Sequence, residues 1–212
     1  MNTRTFSRLA VAAALCAAGA AHADITALTT FSAFQAAAGG SVGTDTFADL
    51  TINSALGTGT LVRNAGGLGY VASTQTEFFV VPVASAVALS AGVYTDTISL
   101  GAFASPIRAV GANFYGTNVL GEVASGALTL VATDINGLTR TQPLAGGSAS
   151  GFVGFVSDVP LLSVVVSMSS PNSNVWASLD NVVLSAVPEV GTWLMALLGG
   201  AAMFGAVARR RA

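Results

Sequence analysis

The sequence contains no lysine, one cysteine and one histidine. Cys16 and His22 both lie within the first 23 residues, so the rest of the chain has neither residue type. Intramolecular disulfide bonds are therefore excluded, and so are the common hydrolase arrangements that use cysteine, histidine or lysine as nucleophile or base. Charged residues of any kind make up only 8% of the chain. Beyond residue 23, carboxylates are the groups left for acid-base chemistry.

Positive charge is concentrated at the two ends of the sequence. All eight basic residues are arginines, and five of them lie within the first 8 and the last 4 residues. Between them, residues 24–188 carry three arginines and nine acidic side chains, a net charge of −6. Binding of nucleic acid depends on basic residues that neutralise phosphates, so this balance argues against a nucleic-acid partner.

The first 23 residues have the layout of a secretory signal peptide. Two arginines precede a short apolar run at 9–18, and small residues stand at Ala21 and Ala23. This pattern predicts export through the secretory translocon and cleavage by signal peptidase between Ala23 and Asp24. The apolar run makes only about 15 Å of helix, which is too short for a stable anchor.

The segment 187–212 combines three features in a fixed order. They are the residues Val187, Pro188 and Glu189, the apolar run 190–208, and the arginines Arg209, Arg210 and Arg211. The apolar run would form a helix of about 28 Å, close to the thickness of the hydrocarbon core of a bilayer. We therefore expect one transmembrane helix. Arginines next to an apolar span stay in the cytoplasm, which would place the preceding domain in the periplasm.

This arrangement resembles the PEP-CTERM sorting signal of Gram-negative bacteria, in which a Pro-Glu-Pro box precedes an apolar helix and an arginine cluster. Val190 stands where the second proline of the box is usual. The resemblance implies processing by the membrane peptidase exosortase, with an inner-membrane intermediate that is released to the cell surface or outside. It also implies an association with exopolysaccharide and biofilm formation. An ordinary membrane anchor is the alternative interpretation of the same hydropathy and charge.

Residues 24–186 have the size and pattern of a single β-sandwich domain. Short alternating runs bounded by turn residues recur along it, and only 30–38 has helical spacing, with a hydroxyl cap at Thr30 and a stop at Gly39. The sequence predicts an antiparallel, jelly-roll-like sandwich of nine or ten strands with one short N-terminal helix.

Local patterns add detail to this domain. The segments 65–67 and 134–137 predict hairpin loops, because glycine and Asn-Gly supply the positive φ of tight turns. A turn is expected at 116–118 and an extended piece at 45–50, and Pro82 is expected at a sheet edge or bend.

The domain is also similar to those often found ahead of PEP-CTERM signals, a likeness that implies the fold more than any activity. Its motifs are Phe31-x-x-Phe34, Arg108-x-x-Gly111-x-Asn113-Phe114, Gly151-Phe152-x-Gly154-Phe155 and Leu179-Asp180-Asn181-Val182.

Two kinds of site could use the acidic side chains. Asp45 and Asp49 are near neighbours that could form the carboxylate pair of a glycosidase, which needs two such groups on either side of a sugar. Further candidates for that pair are Glu77, Asp96 and Glu122. Asp180 and Asn181 could supply oxygen ligands to a structural calcium ion, although such residues more often bond to nearby backbone.

Aromatic side chains could form a third kind of site by stacking on a sugar ring. The candidates are Tyr70, Tyr94, Tyr115 and Trp176, for which packing in or beside the core is the ordinary role.

Three functions follow from these patterns. The first is a non-enzymatic, exported surface or matrix protein that needs no cofactor, is processed by exosortase and has an extracellular polysaccharide as a further partner. The second is a secreted carbohydrate- or calcium-binding module, and the third is a carboxylate-dependent polysaccharide hydrolase. Glycan binding, a calcium-dependent melting shift and polysaccharide turnover distinguish them.

Overall fold

The computed structural model describes residues 24–39, 42–84, 86–145, 151–170 and 174–186. The predicted signal peptide and the sorting segment with its transmembrane helix lie outside these residues. Within them, fifteen strands and one helix form two antiparallel sheets, which confirms the all-β sandwich. The same residues contain no helix that is long and apolar enough to cross a membrane.

The elements are short, and most are joined by tight turns. In chain order they are β1 Ile25–Leu28, α1 Phe31–Ala38, β2 Gly43–Asp45, β3 Ser54–Ala55, β4 Thr60–Ala65, β5 Leu68–Ser73, β6 Phe78–Val83, β7 Ala86–Ala91, β8 Ile98–Gly101, β9 Ala109–Thr117, β10 Val123–Ala124, β11 Leu128–Asp134, β12 Thr139–Leu144, β13 Phe152–Ser157, β14 Leu161–Met168 and β15 Trp176–Ser185.

The larger sheet has the strand order β1-β13-β9-β15-β7-β6-β3, and the smaller sheet has the order β12-β11-β14-β8-β5-β4. Two short strands extend the larger sheet, β10 beside β9 and β2 beside β15. β15 is central, because it pairs with β9 on one side and with two successive strands on the other. It meets β7 at Ser178 and Leu179, and then β2 from Val182 to Leu184.

The main core fills the space between the sheets, because alternate residues of facing strands point inward. Val110 and Phe114 of the larger sheet are buried there with Leu130 and Val164 of the smaller one. The intervening residues of β9 and β15 lie on the opposite face of the larger sheet, which we call the outer face. This face is partly covered as well, and it holds two smaller apolar clusters.

Helix α1 begins and ends as the sequence predicts. The Thr30 side chain caps it by accepting a hydrogen bond from Ala33 N at 3.3 Å, and Gly39 ends it with a φ of 67°. Phe34 and Ala38 are fully buried against the outer face. The close fit depends on Gly154 of β13, since a Cβ there would lie 2.2 Å from the Phe34 ring.

Both predicted hairpins are confirmed. Gly66 and Gly67 take positive φ between β4 and β5, and Gly137 does so between β11 and β12. In the second loop, Asp134 Oδ1 accepts hydrogen bonds from the backbone N–H groups of Asn136 and Leu138. This loop is therefore a turn held by a side chain.

Two local predictions are wrong in position. The extended piece expected at 45–50 stops at Asp45, because Asp45 Oδ1 accepts a hydrogen bond from Phe47 N and Phe47 turns the chain with a φ of 56°. The turn expected at 116–118 begins only at Asn118, since β9 continues to Thr117 between β10 and β15. The Asn118 side chain accepts from Leu120 N and stabilises that turn.

The predicted number of strands is too low for the described residues. The small and apolar residues of β7 do not alternate with polar ones and so do not predict a strand, and β2, β3 and β10 have only two or three residues each. Pieces so short exist only because a neighbouring strand pairs with them. Pro82 agrees with the predicted edge position. On the side of β6 away from β7, β3 pairs only with Phe79 and Val80 and does not reach Pro82.

Candidate functional site

Most predicted processing residues lie outside the part of the chain that the structure describes. They are Ala21, Ala23, Val187, Pro188, Glu189, Arg209, Arg210 and Arg211. Sorting and cleavage at these residues therefore stay predictions. Asp24, the expected first residue after cleavage, is exposed just before β1, and its carbonyl oxygen accepts a hydrogen bond from Asp158 N at 3.3 Å.

Asp45 and Asp49, the predicted carboxylate pair, are brought together by Arg63 of β4. The guanidinium donates to Asp45 at 2.9 and 2.7 Å and to Asp49 at 2.8 and 2.7 Å. The Tyr70 hydroxyl donates to Asp45 as well, at 2.8 Å. The guanidinium carbon also lies 5.2 Å from the centroid of the Phe47 ring, a cation-π distance. We call Asp45, Asp49, Arg63 and Tyr70 the arginine clamp.

The clamp joins the two sheets, because Asp45 ends β2 of the larger sheet and Arg63 lies in β4 of the smaller one. Its environment is graded: the Asp45 side chain is 5% exposed, Arg63 11% and Asp49 65%. The hydrogen bond from Arg63 lowers the pKa of Asp49 to about 2. Hydrogen bonds to Asp49 and then Asp45 raise the pKa of Arg63 above its usual range. Burial, followed by the charge of Asp45, raises the pKa of Tyr70.

This arrangement favours a structural role for the two carboxylates. A glycosidase pair stands on either side of a sugar, with one member poised to donate a proton. Here both carboxylates bind one permanently charged guanidinium, and the pKa of Asp49 moves away from the range of a general acid.

The other candidate carboxylates do not extend the pair. Asp96 accepts hydrogen bonds from the Thr76 hydroxyl at 2.6 Å and from Thr76 N at 3.2 Å. Glu122 accepts from the Asn118 side chain at 3.0 Å. Among the described residues, no hydrogen bond or ion pair joins Asp96, Glu122 or Glu77 to the clamp, and no group of three or more acidic, histidine or cysteine side chains could hold a metal ion.

Asp180, the predicted calcium ligand, is buried on the outer face with three donors around it. Its Oδ1 accepts from Asn113 Nδ2 at 2.6 Å and from Asn181 Nδ2 at 3.0 Å, and its Oδ2 accepts from the Tyr115 hydroxyl at 3.1 Å. Burial raises the pKa of Asp180, and these hydrogen bonds oppose the shift. Burial and the neighbouring Asp180 also raise the pKa of Tyr115. The carboxylate thus orients side chains around it, and calcium binding stays a hypothesis without further support.

A cleft of about 270 Å³ opens on the outer face next to Asp180. We call it the outer-face cleft, and its lining residues are Phe31, Thr44, Asn113, Phe152, Asn181 and Val183. None of these side chains is charged. Five different elements contribute to the cleft, with α1 on one side, β2 on another and the strands β9, β13 and β15 as its floor.

The aromatic side chains proposed for sugar stacking do not share one surface. Tyr70 and Tyr115 are buried, with their hydroxyl groups on Asp45 and Asp180. Tyr94 is 37% exposed in the loop between β7 and β8. Trp176 lines a smaller cleft of about 160 Å³ together with Phe79.

Neither the clamp nor the outer-face cleft is evident from the sequence alone. In the sequence Arg63 is an isolated charge, and nothing in the local pattern links it to Asp49 and Asp45, which lie 14 and 18 positions earlier. The cleft residues Phe31, Asn113, Phe152 and Asn181 all belong to the motifs noted for the fold. A signal was present at Asn113, an amide in the middle of an otherwise apolar strand.

Comparison with known proteins adds little. No protein-family model matches the chain, and no curated protein matches it either. A solved structure titled "Structure of PfGH50B" aligns with 64% of this chain and 22% of its own length, at 10% identity and a TM-score of 0.24. A likeness this weak carries no argument about fold or activity.

Proposed function

We propose that this chain is an exported, non-enzymatic protein of the cell surface or extracellular matrix, built as a jelly-roll-like sandwich and processed by exosortase. The observation that carries the proposal is the order of features in 187–212: Pro188 and Glu189, the apolar run and the terminal arginines. The signal-peptide pattern ahead of Asp24 supports export by the secretory route.

The physical properties of the segment fit a processing site just outside the membrane. Pro188 lacks an amide hydrogen and biases Val187 toward extended geometry, so the box would remain accessible to a peptidase as an extended strand. Glu189 resists transfer into hydrocarbon, and the terminal arginines hold the other end in the cytoplasm. The helix would therefore keep one position in the bilayer while the peptidase acts.

The absence of enzymatic activity is part of the proposal. After residue 23 the sequence offers no cysteine, histidine or lysine, and Arg63 binds both members of the carboxylate pair. We expect no turnover when the protein is incubated with a panel of neutral and acidic polysaccharides. Release of reducing ends above the level of a heat-denatured sample would contradict this part.

The sorting proposal is tested by expressing the chain in an exosortase-positive strain and in an isogenic deletion strain. Intact mass should show an N-terminus at Asp24 in both strains, and loss of the C-terminal helix near Pro188 and Glu189 only where exosortase is present. A Glu189→Ala variant should stay membrane-bound in the positive strain, whereas Glu77→Ala, the matched control in the domain, should be processed normally. Identical C-termini in every sample would mean that the segment is a plain anchor.

A further inference from the structure

The outer-face cleft is shaped by an irregularity in the central strand. Between Asp180 and Val183 the register of β15 against β9 shifts, and Asn181 at the bulge has a φ of 50°. A non-glycine residue in this region is uncommon, although asparagine tolerates it better than most, and bulges often redirect a side chain next to a binding site. Here the bulge coincides with the change of neighbour from β7 to β2, and Asn181 lines the cleft.

Two amides in the cleft are held in place by one buried carboxylate. Asn113 and Asn181 each donate one amide hydrogen to Asp180 Oδ1, and Asp180 is only 3% exposed. Each amide keeps a second hydrogen and a carbonyl oxygen. No hydrogen bond among the described residues uses either of these carbonyl oxygens. The cleft therefore presents fixed donors and acceptors side by side, which suits a ligand with neighbouring hydroxyl groups.

An aromatic ring stands beside these amides. Phe31, in the first turn of α1, is 43% exposed, and its ring meets Phe152 edge-on with centroids 5.6 Å apart. Phe152 is itself held by Phe34, at 5.4 Å. The exposed Phe31 ring thus packs against one buried ring, which is itself held by a second, and part of its surface stays open to a ligand.

The class of ligand can be inferred from the charge of the cleft lining, the volume of the cleft and the strand pairing of its floor. A lining without charged side chains favours a neutral ligand. The cleft volume of 270 Å³ is just below the roughly 300–1,000 Å³ found for sites of drug-sized molecules, so the ligand should be small. One common way for an extended peptide to bind is to add a strand to an open sheet edge. The floor of this cleft offers no such edge, since β9 is paired on both sides by β13 and β15. An amide pair beside an aromatic ring on a closed sheet surface instead favours a sugar.

We propose that the outer-face cleft binds one neutral sugar ring of a polysaccharide. Phe31 packs against the C–H face of the ring, and the amides of Asn113 and Asn181 bond to two neighbouring hydroxyl groups. Asp180 is a positioning residue, because it acts on the ligand only through the two amides. This inference goes beyond the proposed sorting and is independent of it, since the cleft is the same whether or not the C-terminal segment is processed.

The test uses the full chain, purified in a detergent without a sugar headgroup. An array should carry neutral glucan, mannan and galactan oligosaccharides, uronic-acid oligosaccharides and uncharged peptides. We expect binding to at least one neutral glycan, followed by titration calorimetry with the strongest. Exclusive binding to acidic glycans or to peptides, or binding to nothing on the array, would overturn the proposal.

Variants then locate the site. Asn181→Gly removes an amide while suiting the positive φ of the bulge, so the fold should be kept and affinity should fall about tenfold, as expected for the loss of a hydrogen bond to a buried partner. Phe31→Ala should weaken binding by a similar factor. The matched controls are Phe79→Ala, a similarly exposed ring in the other cleft, and Asn136→Ala in a hairpin loop. Unchanged affinity in both cleft variants, or a loss in the Phe79 control instead, would place the site elsewhere.

Discussion

Replacing Arg63 with methionine should destabilise the domain far more than removing either end of an ordinary surface ion pair. The substitution keeps an unbranched apolar stem but removes the guanidinium that binds Asp45 and Asp49. Asp45 is left with two donors, the Tyr70 hydroxyl and Phe47 N. Its carboxylate would then be a buried charge without a counter-charge.

The two ion pairs of the clamp, Arg63 with Asp45 and Arg63 with Asp49, should contribute very different amounts to the free energy of unfolding. Breaking a buried ion pair from one side costs about 3–5 kcal/mol, and the Asp45 side chain at 5% exposure is in that class. An exposed pair contributes about 0–1 kcal/mol, and Asp49 at 65% exposure is in this second class. We therefore expect Arg63→Met to lower the free energy of unfolding by about 3–5 kcal/mol, and Asp49→Asn by no more than about 1 kcal/mol.

Urea unfolding followed by far-ultraviolet circular dichroism measures both variants against the unmodified protein. A thermal scan should agree, since 1 kcal/mol shifts the midpoint by about 2–4 °C in a domain of this size, or roughly 6–20 °C for Arg63→Met. The double variant Arg63→Met with Asp45→Asn should recover part of the loss, because no buried charge remains. Equal losses of unfolding free energy for Arg63→Met and Asp49→Asn would refute the conclusion that the buried Arg63–Asp45 pair supplies most of the stability. No recovery of stability in the double variant would refute it as well.

Three further predictions concern the outer face. The free energy of unfolding of Asp180→Asn should lie within about 1 kcal/mol of that of the unmodified protein, because the new oxygen still accepts from both amides and the new N–H group can donate to the Tyr115 oxygen. Asp180→Ala leaves the donors unpaired and should lower the free energy of unfolding by about 1–3 kcal/mol more. Burial raises the pKa of Asp180, so the folded state binds the proton of this carboxyl group more tightly than the unfolded state does. The free energy of unfolding of the unmodified protein should therefore decline as the pH rises from 3.8 through the raised pKa. Urea midpoints measured across this pH range would contradict the prediction if Asp180→Asn showed the same decline. Gly154→Ala should lower the thermal midpoint strongly, since its Cβ would lie 2.2 Å from the Phe34 ring. The control Gly137→Ala lies in open space at a φ of 83° and should lower the free energy of unfolding by only about 1–2 kcal/mol. Similar midpoints for the two variants would argue against the close packing of α1.

Local chemistry made several elements predictable. The ends of α1 could be located because a threonine cap and a glycine stop each act within a few residues, and the same holds for the hairpin loop at Gly66 and Gly67. β2 and β10 could not be found in this way. Three residues such as those of Gly43–Asp45 have no pattern of their own and are extended only because β15 pairs with them.

The candidate sites depend on contacts between distant parts of the chain. Arg63 reaches Asp45 across 18 positions, and Asn113 reaches Asp180 across 67. Both carboxylates were noted as possible functional groups from residue type alone, but their roles depend on partners that only the pairing of strands brings close. The sequence therefore predicted which residues were chemically available, and the fold determined what they do.

The central place of β15 in the larger sheet has a consequence for how the chain folds. Ser178 pairs with Ser90 and Trp176 with Thr117, so the middle of the larger sheet is completed by a strand that lies far along the sequence from its partners. A chain that emerges N-terminus first can form its hairpins early, but it cannot close the larger sheet until residue 185 has emerged. Non-local pairing of this kind is slow, because loop closure precedes the contacts that reward it. We therefore expect the larger sheet to close late, which would keep the chain incompletely folded during the export that we propose.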